Sequence, residues 1–349
     1  ARLCATSHVH STLVMADSPI PPLAQAPDTT APEPQPVVEQ QGMAAHFIVL
    51  DIVPGPDAEA KVRGFFGNSG GLERSVGRRL PEDNLSMVVG IGAKAWDRLF
   101  GAPRPAGLHE FRELRGAKHH APATPGDLLL HIRAQTVSMC FELAMQVMRA
   151  LDGAVKPVDE VHGFRYFDAR AMIGFVDGVE NPDGRDALAA TLIGDEDPGF
   201  AGGSYVIVQK YLHDMDAWRA LSTEEQERVI GRSKADNIEM ADDVKPINAH
   251  NALTVVKDAD GNELDIVRAN LPFAVPSRGE YGTYFIGYAR DPAVTELMLT
   301  NMFLGFAAVM GLSLSTVLLY FTGASVTRAF FITAATFGGL SLYGYTTKR

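Results

Sequence analysis

The sequence predicts an α+β fold made of two similar halves, followed by an apolar helical hairpin. Three observations carry that expectation. Short aliphatic runs alternate with segments of helical periodicity, the series occurs once before and once after about residue 200, and the spacers are too long and irregular for strict strand–helix–strand winding. A doubly wound α/β sheet would share the first two features; the third favours a tandem pair of α+β sandwiches.

Residues 16–42 are rich in Pro, Ala, Gln and Asp and carry little to bury, so residues 1–42 are expected to be a disordered Pro-rich segment. HFIVLDIV (46–53) reads as a strand, ended by Pro54, Gly55 and Pro56. A helix (AEAKVRGFFG), a strand (LSMVVGIG) and a short helix (KAWDRLF) follow. The first series closes with a strand (DLLLHIRA) and a long helix (TVSMCFELAMQVMRAL), whose apolar residues recur every three or four positions. The second opens with a strand (GSYVIVQKYL) and a helix (HDMDAWRAL). In STEEQERVIGR, Ser222 and Glu225 have the spacing of a capping box, which predicts a helix start. Strands are expected at ALTVV, ELDIVRA and GTYFIGYA, and a last helix at VTELMLTNMF.

The tail changes character. About 19 uncharged residues run from Phe303 to Phe321, near the length a bilayer span needs, and a second apolar stretch covers 329–345. Both are apolar all round and rich in Gly, Ala, Ser and Thr, which favours a transmembrane hairpin over two buried core helices. Lys348 and Arg349 would face the cytoplasm.

The net charge of −11 argues against a nucleic-acid partner. Cys4 and Cys140, far apart, give no disulfide framework and suit a cytoplasmic chain. The first residues lack both the order of a secretory signal and a twin arginine, so export is not expected.

The sharpest local signal is GFVDGVENPDG, residues 174–184. By composition it is a turn-rich loop. It has company downstream: KPINAHNAL with His250, ELDIVRANLPF with Arg268 and Asn270, and GEYGTYFIGYA. GFVDGVENP resembles the Gly-x-x-Asp-Gly signature of dye-decolourising peroxidases. GGSYVIVQKYLHDMDAW, IGRSKADNIEMADDVKPINAHNAL, IVRANLPF, EYGTYFIGYA and NMFLG are similar, in order and spacing, to the bacterial B-type branch of that family. The resemblance covers about residues 43–305. It implies two ferredoxin-like halves, over 43–158 and 159–305, with haem b held mainly by the second.

Carried over by motif, His250 is the iron ligand, and an imidazole nitrogen is the usual axial donor of peroxidases. Asp177, Arg268 and Asn270 then lie on the opposite, peroxide-binding side. There a carboxylate can move a proton, a guanidinium can stabilise developing negative charge, and an amide can orient peroxide. Arg268 is expected to hold down the pKa of Asp177 and give an acidic optimum. Arg232 and Lys234 are candidates for the haem carboxylates, or else solvated residues at a helix end. Trp218, Tyr205 and Tyr211 are candidates for relaying radicals to the surface, or else core aromatics. The implied partners are hydrogen peroxide and a small aromatic or porphyrin reductant, within a homo-oligomer.

The pattern breaks after NMFLG. Leu312 stands where the family has an Asp that hydrogen-bonds the iron-ligating histidine, and the closing strand is missing. Residues 306–349 resemble instead part of a Bax inhibitor-1-like membrane protein. A fusion near 305–307 is therefore expected, with weakened support for His250.

Overall fold

A computed structural model describes residues 33–39, 41–116, 120–178 and 180–303. The nearly continuous apolar run AAHFIVLDI makes β1 (Ala44–Ile52), buried on both faces: Ala44, Ile48 and Leu50 lie in one core and Ala45 and Phe47 in another. Pro56 opens α1 (Pro56–Gly77) as its first residue, where a missing N–H costs nothing. This helix runs ten residues past the expected end, through Gly67, Gly70 and Gly71, because Val62, Phe65 and Val76 are buried along it. Packing outweighs glycine's weak helix propensity here.

Next come β2 (Ser86–Ile91), α2 (Ala93–Leu99), the short pair β3 (Leu114–Arg115) and β4 (His120–Ala121), β5 (Leu128–Ala134) and α3 (Val137–Ala150). β6 (Val155–Phe164) closes the first sheet, whose order is β2-β5-β1-β6. β6 had no clear sequence signal: Pro157, Lys156, Asp159 and Glu160 break the apolar pattern. Those residues suit an edge strand with one face in water.

The second part contains α4 (Gly184–Thr191), β7 (Tyr205–Leu212), α5 (Met215–Ala220), α6 (Thr223–Ile230) and α7 (His250–Leu253). β8 (Val267–Arg268), β9 (Leu271–Val275) and β10 (Glu280–Ala289) follow, and α8 covers 292–303 of the described chain. The capping box is present: Ser222 Oγ accepts from the Glu225 N–H at 3.2 Å, and Glu225 Oε2 from the Ser222 N–H at 2.8 Å. ALTVV is not a strand. Its first residues belong to α7, because the neighbouring Asn251 side chain ties this turn to Gly231 and Glu239. ELDIVRA yields only the two residues of β8.

β10 is central to the second sheet, with β7 on one side and β8 and β9 in succession on the other. The two sheets face each other. Phe47, Val88, Leu129 and Val161 of the first share a core with Val267, Leu271, Phe273, Tyr284, Ile286 and Tyr288 of the second. Helices α1 and α3 cover the other face of the first sheet through Val62, Leu143 and Val147.

The expectation of disorder through residue 42 fails at its end. Val37 is 4% exposed within the inter-sheet core. Gln35 reaches the outer edge of β2, where Nε2 donates to the Val89 carbonyl at 3.1 Å and Oε1 accepts from the Val89 N–H at 2.8 Å. An edge strand needs such partners, and a side-chain amide offers both. Among the described residues no helix is long and apolar enough to cross a membrane. The expected hairpin lies, beyond Phe303, outside the described residues, as do Leu312 and Cys4. Cys140 is buried and free.

Candidate active site

The loop carrying Asp177 is a compact turn pinned from several sides. Arg170 pairs with Val176 as an isolated bridge, and Gly174 takes φ +90, which glycine adopts without steric cost. The Arg170 guanidinium donates to the carbonyls of Gly174 (2.9 Å), Lys234 (2.6 Å) and Ala235 (3.2 Å). Trp218 Nε1 donates to the Ile173 carbonyl at 2.9 Å, and buried Phe175 meets the Trp218 ring edge-on at 6.1 Å. The Asp177 N–H donates to the Ala169 carbonyl at 3.1 Å. Asp168 and Ala169 both hold positive φ (56 and 53), a backbone conformation that L-residues rarely adopt.

Arg268 and Asn270 arrive on the strand facing that loop. β8 and β9 both pair with β10, and the ladder is interrupted at Ala269–Asn270. At the break, Asn270 Oδ1 accepts the Ile286 N–H at 3.1 Å in place of a backbone carbonyl. Gln41 Nε2 donates to the carbonyls of Ala269 (2.7 Å) and Asn270 (2.5 Å). With its oxygen committed to β10, Asn270 presents its Nδ2 hydrogens as donors.

Asp177, Arg268 and Asn270 line one cleft, together with Gln41, Arg165 and Arg170. The pKa of Asp177 is raised: burial dominates, and the Gly178 N–H and the Arg268 charge offset it only in part. The expectation that Arg268 would hold this carboxyl down is therefore corrected. Arg268 pulls in the expected direction, and desolvation outweighs it.

His250 opens α7 and is not among the residues lining that cleft. Its surface is exposed, yet burial by surrounding protein lowers its pKa to about 4, with the Arg268 charge adding to the effect. Both hold for a ring on the wall of a hollow, which solvent reaches while protein surrounds it. Such an imidazole is neutral at pH 7 and keeps a lone pair for a metal. A neutral nitrogen donor and the cationic Arg268 fit an iron porphyrin, whose carboxylates favour positive neighbours.

Arg232 and Lys234, the candidates for the haem carboxylates, both have protein partners. Arg232 donates to Asn237 Oδ1 (3.0 Å), the Asn237 carbonyl (3.0 Å) and Glu180 Oε1 (2.9 Å). Lys234 Nζ donates to Gln226 Oε1 at 2.6 Å and lies 5.7 Å from the Phe175 ring centre. Tyr205 accepts from the Gly107 N–H at 2.9 Å, and Tyr211 donates to Gln209 at 2.6 Å. Sequence reasoning missed Gln41, Arg165, Arg170 and Asn181. Asn181 was legible inside GFVDGVENP; Gln41 lay in a segment read as disordered.

Comparison with known proteins finds relatives along most of the chain. Residues 34–165 match the N-terminal part of the Dyp-type peroxidase family, and residues 168–335 match its C-terminal part. A dye-decolorizing peroxidase of Mycolicibacterium paratuberculosis is 59% identical over 273 residues, which is 78% of this chain and 77% of that protein. The encapsulated DyP-type peroxidase of Mycobacterium smegmatis superposes with a TM-score of 0.77 at 59% identity, over 78% of this chain and 88% of that one. DyPB from Rhodococcus jostii RHA1 gives 0.77 at 55% identity, over 78% and 88%. A 50-residue stretch, 14% of this chain, is 48% identical to 21% of the Escherichia coli inner membrane protein YbhL. With both parts of the family matched in order, and with relatives this similar along most of its length, the chain belongs to the Dyp-type peroxidase family.

Proposed function

We infer that the chain is a haem-dependent peroxidase, using hydrogen peroxide to oxidise dyes, phenols or porphyrinogens in one-electron steps. The observation that carries this reading is the convergence of Asp177, Arg268 and Asn270 on one cleft. Solved R. jostii DypB variants in complex with heme support the cofactor. Bound haem supplies the iron that passes electrons between peroxide and reductant.

The chain's own residues supply positioning and proton movement. His250, held neutral, would hold the haem iron through a ring nitrogen. The Asp177 carboxylate accepts a proton from one peroxide oxygen and returns it to the other, which departs as water. Arg268 stabilises negative charge growing on that departing oxygen. Asn270 Nδ2 donates to peroxide and fixes its orientation. The decisive measurement is the absorption spectrum of the haem-loaded chain before and after peroxide. A Soret band that changes with peroxide, and changes slowly in Asp177→Ala or Arg268→Ala, supports the reading. Haem bound through His250 but inert to peroxide would make the chain a porphyrin-binding protein instead.

The proposal extends to architecture. The order β2-β5-β1-β6, with two helices on one face, supports a ferredoxin-like first half, and the β6–β1 pairing moves its end from 158 to 164. The second half then begins near 165. The stretch similar to YbhL supports a membrane-attached tail, which partition of the lysed-cell protein into detergent would test.

A further inference from the structure

On the helix-covered face of the first sheet, β1 carries apolar Ala44 and Ile48, with His46 between them. His46 is 2% exposed and sits directly across the ladder from His162 of edge strand β6. Alternation along β6 puts Glu160 on the same face as His162. The result is a cluster of three metal-ligating side chains. One oxygen, Glu160 Oε1, lies 2.8 Å from His46 Nε2 and 3.3 Å from His162 Nε2, and the three donor atoms lie within 4.8 Å of one another. The imidazole centres are 4.0 Å apart. Phe141 of α3 lies 6.2 Å from each ring, nearly parallel to that of His46.

We propose that His46, Glu160 and His162 bind a divalent transition-metal ion, at a site distinct from the cleft of Asp177 and Arg268. Two imidazoles and one carboxylate suit Zn²⁺, Ni²⁺ or Cu²⁺ and not the hard cations, which prefer all-oxygen shells. The 3.3 Å separation suits two donors around one tetrahedral ion with bonds of about 2.0–2.2 Å, and the 2.8 Å hydrogen-bonded pair would open by about half an ångström to admit it. In the metal-free cluster Glu160 Oε1 accepts from His46 Nε2–H, so an ion would take the place of that proton, and His46 Nδ1 has no hydrogen-bond partner among the described residues. Glu160 and His162 are each 49% exposed at the side chain, which leaves an entry path and room for water on the open side of the ion. Bound there, the ion would rivet the edge strand β6 to β1.

The test is Zn²⁺ titration of the haem-loaded full chain by calorimetry, after chelator treatment and desalting. The site predicts one equivalent whose affinity falls at least about tenfold in Glu160→Gln and in His162→Gln. Both positions are exposed, so folding is not at stake, whereas His46→Ala would open the core. His120→Gln, which removes another exposed histidine paired with a carboxylate, should leave the event unchanged. Zn²⁺ should also raise the melting temperature of the native chain more than that of either variant. No binding event, or binding and stabilisation that persist unchanged in both variants, would overturn the proposal and leave the cluster a hydrogen-bonded pair of histidines.

Discussion

The side-chain amide of Asn181 pairs with the backbone of Arg268 in both directions: Oδ1 accepts the Arg268 N–H at 3.0 Å, and Nδ2 donates to the Arg268 carbonyl at 2.7 Å. The side of β8 turned away from β10 thus receives its hydrogen bonds from a loop side chain. The same contact ties the loop bearing Asp177 to the strand bearing Arg268.

Asn181→Ala should therefore cost about 1–3 kcal/mol of stability, since it leaves a strand donor and acceptor unpaired. Asn181→Asp keeps the acceptor, loses the donor, and should fall between. Thermal melts check the stability, and peroxide titrations check activity. A variant with a lowered melting temperature but unchanged kcat/KM would show that the contact supports the fold and not the alignment of the two groups proposed to act on peroxide.

Burial of Asp177 sets the acidic side of the rate profile. Its pKa is raised, so kcat/KM for peroxide should fall on acidification at a pH above 3.8, the ordinary aspartate value. Arg268→Gln removes the opposing charge and should move that limb higher still. Stability runs the opposite way: the folded chain holds this proton more tightly than the unfolded one, so stability falls as pH rises from 3.8 through the raised value. Asp177→Asn should remove both effects. A limb at or below 3.8 would refute this assignment.

Truncating the cleft should separate two losses. Asp177→Ala and Arg268→Ala should each slow the reaction with peroxide by about 10²–10³-fold, the scale of a lost proton-transfer or charge-stabilising group. Both should retain haem. His250→Ala should lose the Soret band while far-ultraviolet circular dichroism persists, because the His250 ring makes no hydrogen bond among the described residues.

Gly231 couples α6 to His250. It ends α6 with φ +89, and a Cβ there would overlap the side chain of Asn251, the residue after His250. Gly231→Ala should cost at least about 1–2 kcal/mol from the backbone alone. The displaced α7 should also weaken haem retention, measured by transfer of haem to an acceptor protein. Unaltered transfer would mean that α7 accommodates the methyl group without moving its histidine.

The sequence by itself determined most of the regular structure. The apolar runs HFIVLDIV and GTYFIGYA, helical periodicity in TVSMCFELAMQVMRAL and the box of Ser222 and Glu225 are local signals, and the elements formed where they lie. The motif around Asp177 and the runs containing His250, Arg268 and Asn270 were legible only through the family resemblance they carry. Tertiary structure alone decided what depends on distant partners. Gln35 finds Val89, Gln41 finds Asn270 and Asn181 finds Arg268 across 54, 229 and 87 positions, and no local pattern encodes such pairs. Arg232 and Lys234 are held by Asn237 and Gln226, contacts that residue type does not announce. The pKa of Asp177 is the clearest case: the neighbouring Arg268 could be read from the motif, whereas the desolvation that outweighs it exists only once the protein has closed around the carboxyl.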